Sequence, residues 1–236
     1  MRTTIDLNCD MGEFADAGLE EALMLHITSA NVACGGHAGD ADSMRRTVDL
    51  ARRYGVSVGA HPGYPDRANF GRTEMPLTAE QIAGTVREQV AALAAIAGEL
   101  AHVKPHGALY NVAAKNPDVA RAIGDGVGRF GRDPILVGLA GSKMLEVWRE
   151  MGFRVAAEAF ADRRYEADGS LRSRKFADAL IAEPAAAAAH ALRLAGEGRA
   201  QTICIHSDTP GSVHIVAAVA EALRKAGWEL RPPGRA

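Results

Sequence analysis

The chain has 236 residues, of which 47% are hydrophobic and 24% are charged, and its formal net charge at pH 7 is −2. This length can bury the core of one α/β barrel or of two modest domains. A near-neutral charge, without a basic stripe among aromatic residues, argues against a nucleic-acid-binding protein. No segment approaches the roughly 20 apolar residues that a membrane span needs, and the polar start MRTTIDLNCD is not expected to be a signal peptide.

The three cysteines, Cys9, Cys34 and Cys204, lie in apolar or strand-like stretches and form no CxxC pair. An odd number of scattered thiols suits a reducing compartment better than a disulfide framework. We therefore expect a cytoplasmic protein whose cysteines are unpaired and buried.

Seven short apolar segments along the chain have the length and composition of strands. They are Thr3–Asn8, Ile27–Ala33, Val56–Ala60, His102–Pro105, Ile135–Leu139, Arg154–Glu158 and Thr202–His206. The stretches between them carry helical patterns. Strands that alternate with helices are typical of βαβ units and a parallel sheet.

Several helix boundaries can be predicted from local signals. The apolar stripe of Ser43–Tyr54 is followed by Gly55 as a C-terminal cap. Ala79–Ala97 shows the same periodicity, and the TAEQ segment before it provides a capping box. The pairs Asn-Pro at 116–117 and Glu-Pro at 183–184 begin two further helices.

Seven strand–helix units without a break in composition favour a single domain over residues 1–236. We expect a closed or nearly closed (β/α) barrel, with a doubly wound open sheet as the alternative fold. The polar segment Asp162–Lys175 is predicted to be a loop or lid.

Polar residues follow the apolar part of six predicted strands, in the segments NCDMGE, ACGGHAGD, GAHPGYPD, KPHGALYN, EAFADRRY and HSDTPGS. In a parallel barrel, all strand C-termini open on the face that carries the active site. Because side chains alternate along a strand, polar residues at every second position share the face that points into the barrel. The six segments are therefore predicted to meet at one mouth.

Two glycine-rich segments invite comparison with nucleotide-binding loops. GVGRFG, at 126–131, matches GxGxxG but precedes a strand, which argues against a dinucleotide site. GLAGSK, at 138–143, lacks the GK[ST] order of a phosphate loop, although it could still hold an anion at a helix N-terminus.

The segments DLNCDMGE, NVACGGHAGD, GAHPGYPD with the later FGR, VKPHGALYN, EAFADRRY and HSDTP resemble, in order, the signatures of the LamB/YcsF family. The resemblance runs from Asp6 to Pro210 and implies a distorted seven-stranded (β/α) barrel of the glycoside hydrolase/deacetylase type. It also implies that 5-oxoproline is opened to L-glutamate with cleavage of ATP, together with 5-oxoprolinase subunits B and C. ATP would then be a cosubstrate, used with Mg²⁺, and no tightly bound organic cofactor is expected.

Such a reaction needs a general base, a proton donor to nitrogen, and cations for phosphoryl and carboxylate oxygens. The candidate catalytic residues are Asp10, Glu13, His37, His61, Lys104, His106, Glu158, His206 and Asp208. The candidate substrate-binding residues are Asn8, Asn31, Asp40, Asp66, Arg72, Tyr110, Asp162 and Arg163.

Roles within this set follow from residue type. Asp10 is a base or a magnesium ligand with Glu13 nearby, and the pair of His37 and His61 serves proton transfer. Lys104 and His106 stabilise negative charge. Glu158, His206 and Asp208 orient these groups or share proton transfer, and the arginines 72 and 163 hold carboxylate or phosphate. Without a credible nucleotide loop, ATP handling is expected to depend partly on the partner subunits.

The chain departs from the common family pattern at two positions. Ser207 stands where the family usually has glycine, and Thr73 stands where it usually has arginine. On strand alternation, Ser207 is expected on the apolar face, where it leaves His206 and Asp208 in place. Thr73 removes a cation near the substrate carboxylate.

Two other functions are compatible with the residues. One is a metal-dependent, deacetylase-like hydrolase acting on a carbohydrate or amide, with a divalent ion on Asp10, His37 and His61, although the spacing fits no specific zinc pattern. The other is a non-catalytic binder of sugars or lactams.

Overall fold

The computed structural model describes residues 4–234. The strands are β1 (Thr4–Met11), β2 (Ser29–Ala33), β3 (Ser57–His61), β4 (His102–Val103), β5 (Ile135–Leu139), β6 (Val155–Phe160), β7 (Thr202–Ile205) and β8 (Glu229–Leu230). The seven predicted strands are all present; β5 has the predicted bounds, and at least one end of each other strand is shifted. The predicted start of the first strand at Thr3 lies outside the described residues.

Eight α-helices occur in the described residues. They are α1 (Ala17–Met24), α2 (Ala41–Tyr54), α3 (Ala79–Ala97), α4 (Gly107–Ala113), α5 (Pro117–Val127), α6 (Lys143–Glu150), α7 (Pro184–Gly196) and α8 (Ser212–Lys225). The predicted caps are confirmed: Thr78 and Gln81 form the capping box of α3, and Asn116 caps α5. Gly55 ends α2 with φ at 68°, a left-handed conformation that glycine adopts without a Cβ clash.

The sheet closes on itself, because β1 pairs in parallel with both β2 and β7. The other strands follow in chain order from β2 to β7. This confirms the seven-stranded barrel and excludes the open sheet. The eighth strand, which was not predicted, pairs with the first residues of β1 at Thr4 and Ile5.

β4 is shorter than predicted, but its backbone stays extended to His106. The Lys104 N–H donates to the Ala60 carbonyl at 2.9 Å, and the His106 N–H donates to the Pro62 carbonyl at 2.8 Å. The chain then turns directly into α4 at Gly107, whose φ is 57°. A Cβ at Gly107 would lie 2.6 Å from the carbonyl oxygen of Gly71, so this turn needs glycine.

The main hydrophobic core lies between the barrel and its helices. Leu7 and Val32 from the strands, and Val48 and Trp148 from the helices, are fully buried there. Polar residues at alternate positions of the strands fill the barrel interior instead. The three cysteines are free and buried, as predicted. Within residues 4–234, no helix combines the length and apolar character needed to cross a membrane.

Candidate active site

The ammonium group of Lys104 lies at the centre of the barrel interior, and only 2% of this residue is exposed. Its Nζ is 2.9 Å from Asp10 Oδ1, 3.0 Å from Glu158 Oε1 and 3.0 Å from Cys204 Sγ. Burial by itself would lower the pKa of Lys104, but the carboxylates of Asp10 and Glu158 hold that pKa well above its ordinary value. The lysine is therefore a permanent buried cation between two acids.

Asn8 and Asn31 connect this ion pair to the walls of the barrel. Asn31 donates to Asn8 Oδ1 at 2.7 Å and to Asp10 Oδ1 at 2.8 Å, and Asn8 donates to Glu158 Oε1 at 3.0 Å. His102 Nε2 lies 2.8 Å from Asn31 Oδ1, and burial lowers the pKa of His102 to about 3. These buried side chains hold the charged groups in place.

A cavity of about 560 Å³ opens above Lys104 at the carboxyl ends of the strands. Its lining includes eight of the predicted site residues: Asp10, His61, Arg72, Lys104, His106, Tyr110, Arg163 and His206. Asp10 lies in β1 and His61 in β3, and the other six lie in the segments that follow β3, β4, β6 and β7. Five of the six segments that were predicted to meet at one mouth therefore contribute to the lining, whereas ACGGHAGD does not, and the role of each residue remains a prediction.

Glu13 and three histidines form a compact cluster beside this cavity. Glu13 Oε1 lies 2.9 Å from His37 Nε2 and 3.5 Å from His106 Nδ1, and His61 Nε2 lies 2.9 Å from that same His106 nitrogen. Burial, followed by the neighbouring His37 and His61, lowers the pKa of His106 well below its ordinary value. Burial also lowers the pKa of His37.

Two groups of side chains in the described residues have the composition and spacing of metal ligands. Their ligand atoms lie within 4.8 Å of one another in each group, which comprise Glu13, His37, His61 and His106, and Asp10, Cys204 and His206. The suggested trio of Asp10, His37 and His61 is thus divided between the two groups. Asp10 contacts Lys104 through Oδ1 at 2.9 Å and His61 through Oδ2 at 3.4 Å, so it lies between the two groups.

His206 is held by Asp162, which was predicted to contact substrate but is itself fully buried. His206 Nδ1 lies 3.1 Å from each Asp162 carboxylate oxygen, and the His206 N–H also donates to Oδ2 at 3.1 Å. Phe160 stacks against the face of the imidazole, with ring centroids 5.2 Å apart. Asp162 therefore positions His206 and leaves Nε2 as its free ring nitrogen.

Arginines line one side of the cavity. Arg72 and Arg174 both pair with Asp208, and the Arg174 contact is 2.9 Å. Burial would raise the pKa of Asp208, but Arg174, His206 and Arg72 hold it below its ordinary value. Asp208 therefore forms ion pairs with both arginines, Arg72 and Arg174, at the rim of the cavity.

Arg163 has no carboxylate ion pair among the described residues. Its Nη2 donates to the Arg172 carbonyl at 2.6 Å, while its Nε is buried without a hydrogen-bond partner in residues 4–234. Burial lowers the pKa of Arg163 to about 10, so the guanidinium is charged at neutral pH. Its guanidinium has no carboxylate partner among the described residues, which makes it a candidate to receive an anionic ligand in the cavity that it lines.

Tyr110 and Glu158 lie next to each other in the barrel interior. The Tyr110 hydroxyl and Glu158 Oε2 are both buried, and neither meets the geometric limits of a hydrogen bond to the described residues, although the carboxylate acts on the phenol. Burial, and then the charge of Glu158, raise the pKa of Tyr110 well above its ordinary value. The phenol is therefore neutral, and the neighbouring Glu158 carboxylate is the acceptor within its reach.

Asp40 and Asp66 lie away from the cavity and have structural roles. Asp40 is exposed and caps α2, where its carboxylate accepts from the Asp42 and Ser43 N–H groups. Asp66 caps the short 3-10 helix Arg67–Asn69. Both follow a β-strand like the site residues, but the chain has already turned toward the next helix at these positions.

The environment of Ser207 differs from the expectation. β7 ends at Ile205, so strand alternation no longer applies, and the Ser207 hydroxyl lies 3.4 Å from Glu13 Oε2. Ser207 thus contacts the histidine cluster through Glu13. Thr73, the other departure, is exposed beside Arg72.

Arg174 and Phe160 were missed by the sequence analysis. Arg174 lies in the polar segment 162–175, which forms the predicted loop and lines the cavity with Ser170–Lys175. Its cluster of basic residues was the available signal. Phe160 stands in the quoted segment EAFADRRY, but an aromatic residue at a strand end is usually part of the core.

The two glycine-rich segments serve packing. A Cβ at Gly126 would lie 2.7 Å from the Ala83 carbonyl of α3, and one at Gly138 would lie 2.9 Å from the Trp148 ring of α6. Glycine therefore allows close contact between elements at both places. This accounts for GVGRFG without a nucleotide.

The closed parallel barrel with its site at the strand C-termini defines the class of protein, a deacetylase-type (β/α) barrel. The structure titled "T48 deacetylase with substrate" is 18% identical, with a TM-score of 0.55 over 97% of this chain and 87% of that chain, which shows the fold alone. The family model described as "LamB/YcsF family" matches residues 5–236. The chain belongs to the LamB/YcsF family.

Relatives match along almost the whole chain. The A subunit of 5-oxoprolinase from Chloroflexus aurantiacus is 50% identical, covering 98% of this chain and 99% of the relative. The protein of the same name from Pyrococcus furiosus is 44% identical, with 98% of both chains covered. The crystal structure of the lactam utilization protein from Thermus thermophilus is 39% identical, with a TM-score of 0.88 over 97% of this chain and 99% of that chain.

Proposed function

We propose that this chain is the subunit of an ATP-dependent 5-oxoprolinase that opens 5-oxo-L-proline to L-glutamate. The observation that carries the proposal is the buried Lys104 cation between Asp10 and Glu158, at the floor of a cavity with an arginine rim. Relatives that bear the name of the 5-oxoprolinase A subunit, at 42–50% identity, support the substrate. The coupled reaction yields ADP and phosphate.

The lactam amide is stabilised by resonance, so its oxygen must be activated before water can open the ring. In the proposed route the lactam oxygen attacks the γ-phosphorus of ATP and ADP leaves. Water then adds to the activated carbon, the carbon–nitrogen bond breaks with protonation of nitrogen, and a second water releases phosphate. ATP acts as a cosubstrate with Mg²⁺, and its handling depends partly on subunits B and C.

The residues suit the charges that develop along this route. Lys104 would stabilise the negative charge that develops on the lactam oxygen. A fixed cation in a site with little water has this effect in electrostatic catalysis. Arg163, which lines the cavity and has no carboxylate partner among residues 4–234, would bind the substrate carboxylate. His206, oriented by Asp162, would transfer the proton to nitrogen.

The test measures glutamate and ADP formed by the purified chain, alone and with the two partner subunits. We expect 5-oxoproline-dependent formation of both products, in equal amounts, only in the complete mixture. Lys104→Met should abolish both, whereas exposed Lys143→Met should not. Full activity of the chain alone would overturn the dependence on partners, and an inactive complete mixture with a folded chain would overturn the function.

A further inference from the structure

The rings of His61 and His106 face each other through His61 Nε2 and His106 Nδ1. A neutral imidazole carries one hydrogen, so the partner of each ring's outer nitrogen decides whether its inner nitrogen carries a hydrogen. His61 Nδ1 lies 2.7 Å from the Lys104 carbonyl oxygen, and His106 Nε2 lies 2.9 Å from the Phe70 carbonyl oxygen. A carbonyl oxygen only accepts, so these outer nitrogens carry the hydrogens. The inner nitrogens, 2.9 Å apart, then both present lone pairs.

Two carboxylate oxygens, from Glu13 and Asp10, also lie near these two ring nitrogens. Glu13 Oε1 lies 3.5 Å from His106 Nδ1, and Asp10 Oδ2 lies 3.4 Å from His61 Nε2. One shared proton would satisfy only the contact between the two rings. A tetrahedral metal ion with bonds near 2.0–2.1 Å separates neighbouring ligand atoms by about 3.3 Å, close to the 2.9 Å and 3.5 Å that separate His106 Nδ1 from His61 Nε2 and from Glu13 Oε1.

We propose that Glu13, His61 and His106 bind a divalent transition-metal ion of the zinc, cobalt or manganese class. The ligand atoms are Glu13 Oε1, His61 Nε2 and His106 Nδ1, which lie within 4.8 Å of one another. Two imidazole nitrogens favour such an ion over Mg²⁺, which prefers oxygen ligands. The two backbone carbonyls fix the tautomers, as outer-shell acceptors do for metal-binding histidines.

His37 supports the ion indirectly. Its ring is parallel to that of His106, at 3° and 3.6 Å between centroids, so its lone pairs do not converge on a point in the plane of the His106 ring. His37 Nε2 instead donates to Glu13 Oε1 at 2.9 Å and orients that carboxylate. Its buried Nδ1 has no hydrogen-bond partner among residues 4–234, which agrees with a neutral ring.

The ion would have access to the candidate active site. His61 and His106 line the cavity of about 560 Å³, while Glu13 approaches from behind. Three protein ligands leave a coordination position for water or a carbonyl oxygen, as in catalytic rather than structural zinc sites. The proposal concerns ion binding and stands independently of the proposed reaction.

The test titrates chelator-treated, purified chain with Co²⁺, followed by visible absorption and calorimetry. We expect one Co²⁺ per chain, and paramagnetically shifted signals from the His61 Nδ1–H and His106 Nε2–H groups. Glu13→Gln, His61→Gln and His106→Gln should each weaken binding about 100-fold or more, and His37→Gln about 10–100-fold. His214→Gln, on the exposed side of α8, is the matched control and should bind like the wild type.

The wild-type spectrum keeps the test decisive even where a variant fails to fold. Absence of saturable Co²⁺ and Zn²⁺ binding to the wild type would overturn the proposal. Binding that is unchanged in folded Glu13→Gln and His106→Gln, or lost in His214→Gln, would also overturn it. The titration contains neither 5-oxoproline nor ATP, so its result is separate from that of the activity assay.

Discussion

Lys104 and Asp10 form a buried ion pair at the floor of the cavity, with 2.9 Å between Nζ and Oδ1 and at most 4% of either side chain exposed. Glu158 lies on the other side of the ammonium group at 3.0 Å. One cation therefore compensates two carboxylates at a place that is almost completely removed from solvent. Both the stability of the barrel interior and the chemistry of the cavity depend on this group.

Replacing Lys104 with methionine keeps the length of the side chain and removes its charge. Two buried carboxylates then lose their cation, so we expect the free energy of unfolding to fall by about 3–5 kcal/mol. In the variant that remains folded, turnover should fall at least 10²–10³-fold, the usual effect of removing an oxyanion-stabilising group. Urea unfolding and glutamate formation measure the two effects. Lys143→Met, on the surface of α6, should change neither.

Arg163→Gln tests the proposed contact with the substrate carboxylate. Loss of a charge-assisted hydrogen bond of about 1.5–3 kcal/mol should raise KM for 5-oxoproline about 10–100-fold, with a smaller effect on kcat. The neighbouring Arg164 is exposed, and Arg164→Gln serves as the control. Equal KM values in both variants would show that another cation binds the carboxylate.

Asp162→Asn tests whether this residue acts through His206. The amide has only one acceptor oxygen and an NH₂ group in place of the other, so the imidazole loses its fixed orientation, and kcat should fall about 10²-fold or more. Because the two residues act as a unit, the double variant with His206→Gln should be hardly slower than His206→Gln alone. Additive losses would contradict a positioning role. Asp168→Asn, in the same loop, is the matched control.

The buried Asp6 predicts a pH dependence of stability. Three hydroxyl groups surround it, but burial is the larger influence and raises its pKa from 3.8 to about 6. Between these values the folded state binds more protons than the unfolded state, so this contribution is present below about pH 4 and is lost as pH rises through 6. The loss amounts to about 3 kcal/mol.

Unfolding by urea at pH 4, 5, 6 and 7 isolates this contribution when wild type and Asp6→Asn are compared. The difference in unfolding free energy between the two chains should change by about 2.4 kcal/mol between pH 4 and pH 7, in the direction that favours the variant at higher pH. Asp125→Asn, at an exposed position of α5, should follow the wild-type profile. A constant difference between wild type and Asp6→Asn would contradict the raised pKa.

Gly107→Ala tests the turn that presents His106. Alanine adds strain at a positive φ and places its Cβ 2.6 Å from the Gly71 carbonyl. Gly198 has a similar φ of 68° with open space around it, so Gly198→Ala carries the strain alone. We expect Gly198→Ala to cost about 1 kcal/mol and Gly107→Ala about 1–3 kcal/mol more. Thermal or urea unfolding measures both, and equal costs would refute the close approach.

Local signals predicted the features that depend on neighbouring residues. The capping box of α3 and the proline at the start of α5 act within one helical turn, so they can be read without knowledge of the fold. The alternation of strands and helices predicted the barrel for a similar reason. β8 and α4 escaped prediction because their two and seven residues are too short to show a clear period.

Membership of the cavity was only partly predictable. Asp10, His61, Lys104 and His206 end strands of the barrel or follow them directly, and parallel packing alone brings such positions together. Asp40 and Asp66 have the same residue type and also follow strands, yet the backbone uses them as caps. Sequence position does not distinguish these two uses of an aspartate.

The order of residues along the chain was enough to predict the parallel barrel, the face that carries the polar residues, and the family. Folding was needed to reveal that Asp162 holds His206, that Arg174 shares Asp208 with Arg72, and that Ser207 contacts Glu13. The same is true of the lone pairs of His61 and His106, which face each other. Capping and strand alternation act over a few residues, whereas these contacts join segments up to 194 residues apart. Their geometry depends on strand register and on the path of each loop, which short-range patterns do not encode.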